Sequence, residues 1–308
     1  MSAQTTAMPG KRFVIGVPYT WLLVFFLFPF LILLYISFVD MGNDIHPFKP
    51  IWDSSTGLLK LKYENYGSIF QNTDGGALFD TLYVEAYLRS LGYALCTALL
   101  CLLFGYPFAY FIARSSPGLR PALLMMVMLP FWTSFLLRVY AWKGILADQG
   151  VINQALMALG IIHEPIQMLY TDVSLLVGMT YVYLPFMVLP LYATLVKLDF
   201  RLLEAAYDLG ASPFQAFWLV TVPLSKAGIV AGFMLVFIPS VGEFVIPSLL
   251  GGPENIMIGR VVWDEMFTGN NWPRASALAV VMIGLIVVPL AIYYHYTGES
   301  SARSASAK

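Results

Sequence analysis

The chain has 308 residues, of which 59% are hydrophobic and only 11% charged. A soluble globular domain carries about 25% charged residues, so this composition excludes that class and points to lipid as the solvent. A formal net charge of −1 leaves no basic excess for nucleic acid, and two cysteines in one apolar run, Cys96 and Cys101, fit neither a disulfide framework nor a metal spacing.

Residues 1–12 form a short N-terminal segment carrying Lys11 and Arg12. Six apolar runs then follow: Phe13–Val39, Ala86–Ala113, Pro121–Trp142, Asp172–Val196, Leu224–Leu250 and Ala275–Tyr296. The first is too long for the apolar stretch of a cleavable signal. Each run reaches about 20 residues, enough to cross a hydrocarbon core of about 30 Å as a helix. Open-sheet strands are excluded because lipid offers no partner to unpaired backbone groups. The expected fold is all-α and integral to the membrane, with six transmembrane helices in residues 13–296. Every run contains proline, which membrane helices tolerate.

Lys11 and Arg12 flank the first run, and Arg114 and Arg120 fill the short second loop. Positive residues favour the cytoplasmic side, so both termini are expected there. The tail 297–308 is rich in Ser and Ala and is expected to be disordered. The external segment 40–85 is too long for a plain connection and carries acids together with Trp52, Tyr63, Tyr66 and Phe70. It is expected to form a small extracytoplasmic cap suited to a soluble partner.

After four crossings the chain is cytoplasmic again, and residues 199–223 read DFRLLEAAYDLGASPFQAFWLVTVP. Asp199 is placed to cap a first short helix made of good helix formers. Gly210 suits a left-handed helix end, Ser212 a second N-cap with Pro213 behind it, and Pro223 leads into the fifth span. The apolar residues Leu203, Tyr207, Phe214, Phe217 and Trp218 cannot all be buried inside so small a unit. Glu204 and Asp208 repel each other across one turn, by about 0.2–0.5 kcal/mol. A lipid-facing interfacial helix carries Lys/Arg on its polar face, whereas this one carries acids, which favours docking to protein.

The spacing Glu204-Ala205-Ala206, three residues, Gly210, nine residues, then Val220-x-Val222-Pro223 resembles the EAA motif of ABC importer permeases. The family ends the motif I-x-L-P, so V-x-V-P is a conservative departure. The stretches LPFWTSFLLRVYAWKGIL (Leu129–Leu146), LPFMVLPLY (Leu184–Tyr192) and VGEFVIPSLLGGP (Val241–Pro253) resemble the putrescine/spermidine permeases of bacterial polyamine importers. The resemblance implies the type I ABC importer permease fold in the bacterial inner membrane. It implies a coupling helix carrying Glu204, Ala205, Ala206, Asp208, Gly210 and Pro223 that sits in a groove of an ATPase. The implied partners are a second, related permease, two ATPase subunits that bind ATP and Mg, and a periplasmic polyamine-binding protein.

The chain itself has no phosphate-binding G-x-x-x-x-G-K-[ST] loop and no placed Ser/His/Asp set, so it is expected to be neither an ATPase nor another enzyme and to bind no cofactor or metal. Glu243 is the one acid deep inside a predicted span, where a charge costs about 2.5–3.5 kcal/mol on the lenient insertion scale. Such a residue is expected to face a wet cavity, or else to lock helix packing through a hydrogen bond. An ammonium 4 Å from its carboxylate would gain about 4 kcal/mol before desolvation at an effective dielectric of about 20. Trp132, Tyr140, Tyr181, Tyr183 and Trp263 are candidates to add cation–π contact, each with belt or core as the plainer role. Arg138 and Lys143 would repel a cation in the path, and are expected to pair with acids or anchor at headgroups. The alternatives are a permease of the same family for an amino acid or iron, a membrane enzyme, or a stand-alone channel. The enzyme lacks a constellation, and the channel leaves the EAA-like loop unexplained.

Overall fold

The computed structural model describes residues 11–43, 46–52, 60–70, 82–199 and 201–306. Among them, regular structure is helical, apart from one isolated antiparallel bridge between Met41 and Phe48. Helix α1 runs through Lys11–Leu22, a π-helical turn Leu23–Leu27 and Phe28–Ser37; α2 is Glu64–Gly67; and α3 is Leu82–Arg114. Next come α4 (Arg120–Met128, extended by a 3₁₀ turn Leu129–Trp132), α5 (Phe135–Leu146), α6 (Val151–Ala158) and α7 (Asp172–Leu195). Helix α8 is Arg201–Asp208, and α9 comprises Pro213–Ala216, a π-helical turn Phe217–Thr221 and Val222–Leu224. The chain ends with α10 (Lys226–Val241), α11 (Val245–Leu250), α12 (Ile258–Trp263, then a π-helical turn Asp264–Thr268) and α13 (Trp272–Ser306). Residues divide into two compact units, Met1–Thr81 with Val262–Lys308, and Leu82–Val261.

In the first unit, α1 turns apolar side chains outward along most of its length, and in its Phe28–Ser37 portion only Ile36 and Ser37 are buried. That suits lipid contact. The π-helical turn falls just before Pro29, where the missing N–H and the ring widen the helix. The end of α1 leaves carbonyls without helical partners. Side chains of α2 answer two carbonyls there: Asn65 Nδ2 donates to the Ser37 and Val39 carbonyls, both at 2.9 Å, and Tyr66 Oη meets Ser37 Oγ at 2.7 Å. Lys62 pairs with Asp40, whose carboxylate holds the lysine above its ordinary pKa. Helix α13 packs on the Phe28–Ser37 portion of α1. It continues as helix to Ser306, through the tail expected to be disordered. Beyond Gly298 that tail is Glu299, Ser, Ala, Arg303 and Lys308, without proline, a composition that does not oppose helix.

The second unit is built on α3, α7 and α10, which pack against one another. Met187 of α7 lies at the centre, fully buried, between Gly105 of α3 and Gly232 of α10. A Cβ at Gly232 would stand 2.7 Å from Met187 Sδ, and one at Gly228 would stand 2.9 Å from the Pro190 carbonyl oxygen. The pair Gly228 and Gly232, one turn apart, lets the backbone of α10 lie directly on α7, as small residues do where membrane helices meet. Two buried hydroxyls tie distant elements together: Ser174 Oγ donates to the Leu250 carbonyl at 2.7 Å, and Ser90 Oγ accepts from the Ile258 N–H at 2.7 Å. Helix α7 starts on a Thr171/Ser174 capping box.

Three of the six predicted runs are continuous helices of spanning length: Val14–Ser37, Leu82–Arg114 and Asp172–Leu195. The sixth is covered by the apolar stretch Trp272–Val288 of α13. The third and fifth differ from expectation. Instead of a straight Pro121–Trp142 helix, Arg120–Trp132 and Phe135–Ala158 meet at 87°. Pro130 tightens the end of α4 to 3₁₀, and Thr133 and Ser134 leave helical angles. Instead of one helix over Leu224–Leu250, there is a 69° elbow at Ser225 and a second break at Gly242–Phe244.

Candidate coupling loop and helix break

The loop before the elbow follows its local chemistry closely. Asp199 Oδ1 accepts from the Arg201 N–H at 3.0 Å, which opens α8. Gly210 closes it at φ +85°, with its N–H on the Tyr207 carbonyl at 2.9 Å and the Ala211 N–H on the Ala206 carbonyl at 3.0 Å. These are the two bonds of a Schellman ending, and the left-handed angle is what requires glycine. Ser212 then caps α9 in a box with Gln215: Gln215 N–H to Ser212 Oγ at 3.3 Å, and Ser212 N–H to Gln215 Oε1 at 2.8 Å. Leu203 is buried and fixes α8 in place. Leu209 at 89%, Phe214 at 73% and Leu219 at 72% exposure leave a projecting apolar surface beside the exposed Glu204, Ala205 and Asp208. Ala206 is half-buried at the turn.

Phe217 ties this projection to the membrane part. Its ring stands edge-on to Tyr106 at 5.3 Å and to Tyr110 at 6.2 Å, both on α3. The elbow itself is held from the same helix: Tyr106 Oη meets the fully buried Ser225 Oγ at 2.8 Å. Pro223 lies inside the short Val222–Leu224 piece, two residues before the elbow. The π-helical turn Phe217–Thr221 precedes it, as the turn Leu23–Leu27 precedes Pro29. Tyr106 and Ser225 are not singled out by sequence reasoning, and Phe217 enters it only as one of the loop's apolar residues that cannot all be buried. The only sequence signal was a phenol in an apolar run that needs a hydrogen-bond partner.

Glu243 stands at the second break, outside continuous helix. Its Oε1 accepts from the N–H groups of Val245 at 3.0 Å and Ile246 at 3.4 Å, and Pro247 next in line has no N–H to satisfy. Its Oε2 accepts from Tyr183 Oη at 2.6 Å. Three donors thus converge on one carboxylate, which caps α11 and fastens it to α7. Of the aromatic candidates, Tyr183 is the one that donates a hydrogen bond to Glu243. Tyr181 packs edge-on against Trp142 at 5.4 Å. Trp132 and Tyr140 lie exposed on either side of the break in the third span. Trp263 belongs to the other unit and packs against Phe267.

The two basic residues of the third span do not pair with acids among the described residues. Arg138 lies over the rings of Phe131 at 4.8 Å and Phe135 at 5.9 Å, and Lys143 over Tyr170 at 5.6 Å. In each case the charge rests on an aromatic face, supplied to Arg138 by Phe135 one turn back and by Phe131 across the break, and to Lys143 by Tyr170. Described residues contain no group of His, Cys, Asp and Glu suited to a metal.

The model of the family described as "binding-protein-dependent transport system inner membrane component" matches residues 102–297. The chain belongs to that family. It is therefore an integral inner-membrane transport component rather than an enzyme. The chain is 37% identical over 285 residues to the spermidine/putrescine transport system permease protein PotB of Haemophilus influenzae, covering 92% of this chain and 93% of that protein. To PotB of Escherichia coli K12 it is 37% identical over 274 residues, covering 89% and 93%. Among solved structures, a bacterial ABC transporter for the acidic polysaccharide alginate superposes with a TM-score of 0.61 at 18% identity, over 94% of this chain and 96% of that one. An inward-facing methionine transporter, MetNI, reaches 0.51 at 16% identity, over 72% and 94%. The all-helical ABC importer permease fold expected from the sequence is the fold that these solved structures share with the chain.

Proposed function

We propose that this permease is one of two related membrane subunits of a polyamine importer, coupled to two cytoplasmic ATPase subunits that carry ATP and Mg. The observation that carries the coupling role is the projection from α8 through Gly210 to α9, acidic and apolar at once, rigidly capped and tied to α3 through Phe217. Closure of the ATPases pushes on this projection, and the Tyr106–Ser225 contact passes the movement to α10. A periplasmic binding protein delivers the cargo at the outer face, and both termini lie in the cytoplasm.

The PotB relatives support a polyamine as cargo, and so does the break at Glu243. A carboxylate that already gathers N–H and O–H donors is suited to exchange one for an ammonium, since all three bring positive hydrogen to the same oxygens. Tyr183 is the donor most free to swing away, because it is a side chain and the other two are fixed backbone. Reconstitution of the full importer in proteoliposomes tests the reading. Labelled putrescine or spermidine should accumulate with internal or external ATP at the ATPase face, and an amino acid should not. ATP-driven uptake of the amino acid alone would overturn the cargo assignment.

A further inference from the structure

The break at Glu243 leaves two backbone carbonyls over. In an unbroken helix the Gly242 carbonyl would take the Ile246 N–H, and the Glu243 carbonyl the N–H of residue 247. Here the Ile246 N–H goes to Glu243 Oε1 at 3.4 Å, and residue 247 is proline. Both carbonyls are met instead by Gly259, in the first turn of α12. A Cβ on Gly259 would stand 2.4 Å from the Gly242 oxygen and 2.7 Å from the Glu243 oxygen. At so close an approach the Cα hydrogens take the place of a donor, as they do where helices cross tightly. The partly positive first turn of α12 thereby lies on the carbonyl end of α10. That turn is itself held from α3: the fully buried Ile258 donates its N–H to Ser90 Oγ at 2.7 Å. Three helix ends, of α10, α11 and α12, thus meet at one residue.

We infer that Gly259 is a positioning residue for transport: it sets the backbone at Glu243, and through that backbone the aim of the carboxylate. The carbonyl and the side chain of residue 243 hang from the same Cα, so displacing one turns the other. A methyl group at 259 meets no flexible side chain that could step aside, because both obstacles are backbone oxygens. Either the 242–243 backbone or the first turn of α12 must move. The carboxylate has little room to follow. Its Oε2 stands 2.6 Å from Tyr183 Oη, and its Oε1 accepts from the Val245 N–H at 3.0 Å. A small shift therefore lengthens one of these bonds and misplaces the charge that an ammonium has to meet, and such misplacement is costly. The inference rests on the reading of Glu243 as the carboxylate that receives the cargo ammonium. It adds a residue outside α10 and α11 that keeps this carboxylate in place, and it makes α12 part of the break.

The test uses the complete importer in proteoliposomes, with uptake of labelled putrescine and ATP hydrolysis measured together. Gly259→Ala should lower uptake about tenfold while ATP hydrolysis stays within about twofold, because the motor is intact and the carboxylate is misplaced. In a Glu243→Gln background the same substitution should lower uptake by less than about a further twofold, since no charge is left to aim. Thermal unfolding should shift equally in the two backgrounds. Ser90→Ala releases the Ile258 N–H without adding an atom and should act in the same direction, about threefold. It is the deciding variant, judged by the same outcomes, if Gly259→Ala does not assemble. Unchanged uptake, a parallel loss of ATP hydrolysis, or an equal fold loss in both backgrounds would overturn the inference. Wild-type uptake in Glu243→Gln alone would instead overturn the reading of that carboxylate as the cargo's partner, which is a distinguishable result.

Discussion

The fifth predicted span is interrupted twice, and the two interruptions are built from different materials. The loop leading into the 69° elbow has its helix ends satisfied by neighbours a few residues away, Asp199, the Gly210 turn and the Ser212–Gln215 box, while the elbow itself is held by Tyr106 on Ser225. At the second break, the N–H groups of Val245 and Ile246 are satisfied by a charged group, and that group is held by Tyr183, 60 positions earlier in the chain. The loop before the elbow is locally encoded and projects outward, with apolar residues exposed. The second depends on α7 and α10 being packed together and faces inward. The comparison teaches that a stiff lever can be specified by local capping, whereas a buried polar hinge needs a tertiary partner to exist at all.

The comparison can be broken at either end. The largest effect is expected at the lever. Gly210→Val forces a β-branched residue to φ +85° beside the exposed docking surface. ATP-driven uptake should fall by more than about tenfold while insertion is unchanged, since αL strain costs about 1–2 kcal/mol and displaces α8. Normal uptake would remove the coupling role. Glu243→Ala should come next, losing about 1–3 kcal/mol of stability in detergent by orphaning Tyr183 and two backbone donors. Gly228→Ala pushes a Cβ toward the Pro190 carbonyl and should cost about 1–3 kcal/mol, read as a lowered Tm, and it should loosen the second break as well because α10 carries it. The smallest change in stability is expected from Glu243→Gln. An amide can still accept from Val245 with its oxygen and donate to the Tyr183 phenol with its nitrogen, so stability should hold within about 1 kcal/mol. If polyamine uptake falls in that variant while Tm does not, the charge serves transport. If both hold, the carboxylate is a helix cap only.

Much of the fold was legible in the sequence because lipid imposes a simple code. Apolar length located the spans, and the caps of α8 and α9 were read from Asp199, Gly210, Ser212 and Pro213, each acting within four residues. The breaks were less legible. Proline occurs in every predicted span, yet only some helices are interrupted: α7 keeps Pro185 and Pro190 inside one continuous helix, while the third span breaks after Pro130. Whether a freed carbonyl bends a helix depends on what packs beside it, and that is not a local property. The same limit applies to Arg138 and Lys143, which the sequence expected to pair with acids or anchor at headgroups and the structure seats on aromatic rings.

By itself the sequence determined that the chain lives in lipid, that it is helical, and that a capped acidic loop projects on one side. These follow from composition, period and capping, which act over a few residues. Tertiary structure alone decided that Glu243 sits at a helix break rather than inside a helix, that Tyr183 and not the other aromatics reaches it, and that Tyr106 holds the elbow at Ser225. Those contacts join residues 60 and 119 positions apart. They exist only because Gly228 and Gly232 allow α10 to lie against α7, and no pattern within either helix could specify which phenol would meet which acid.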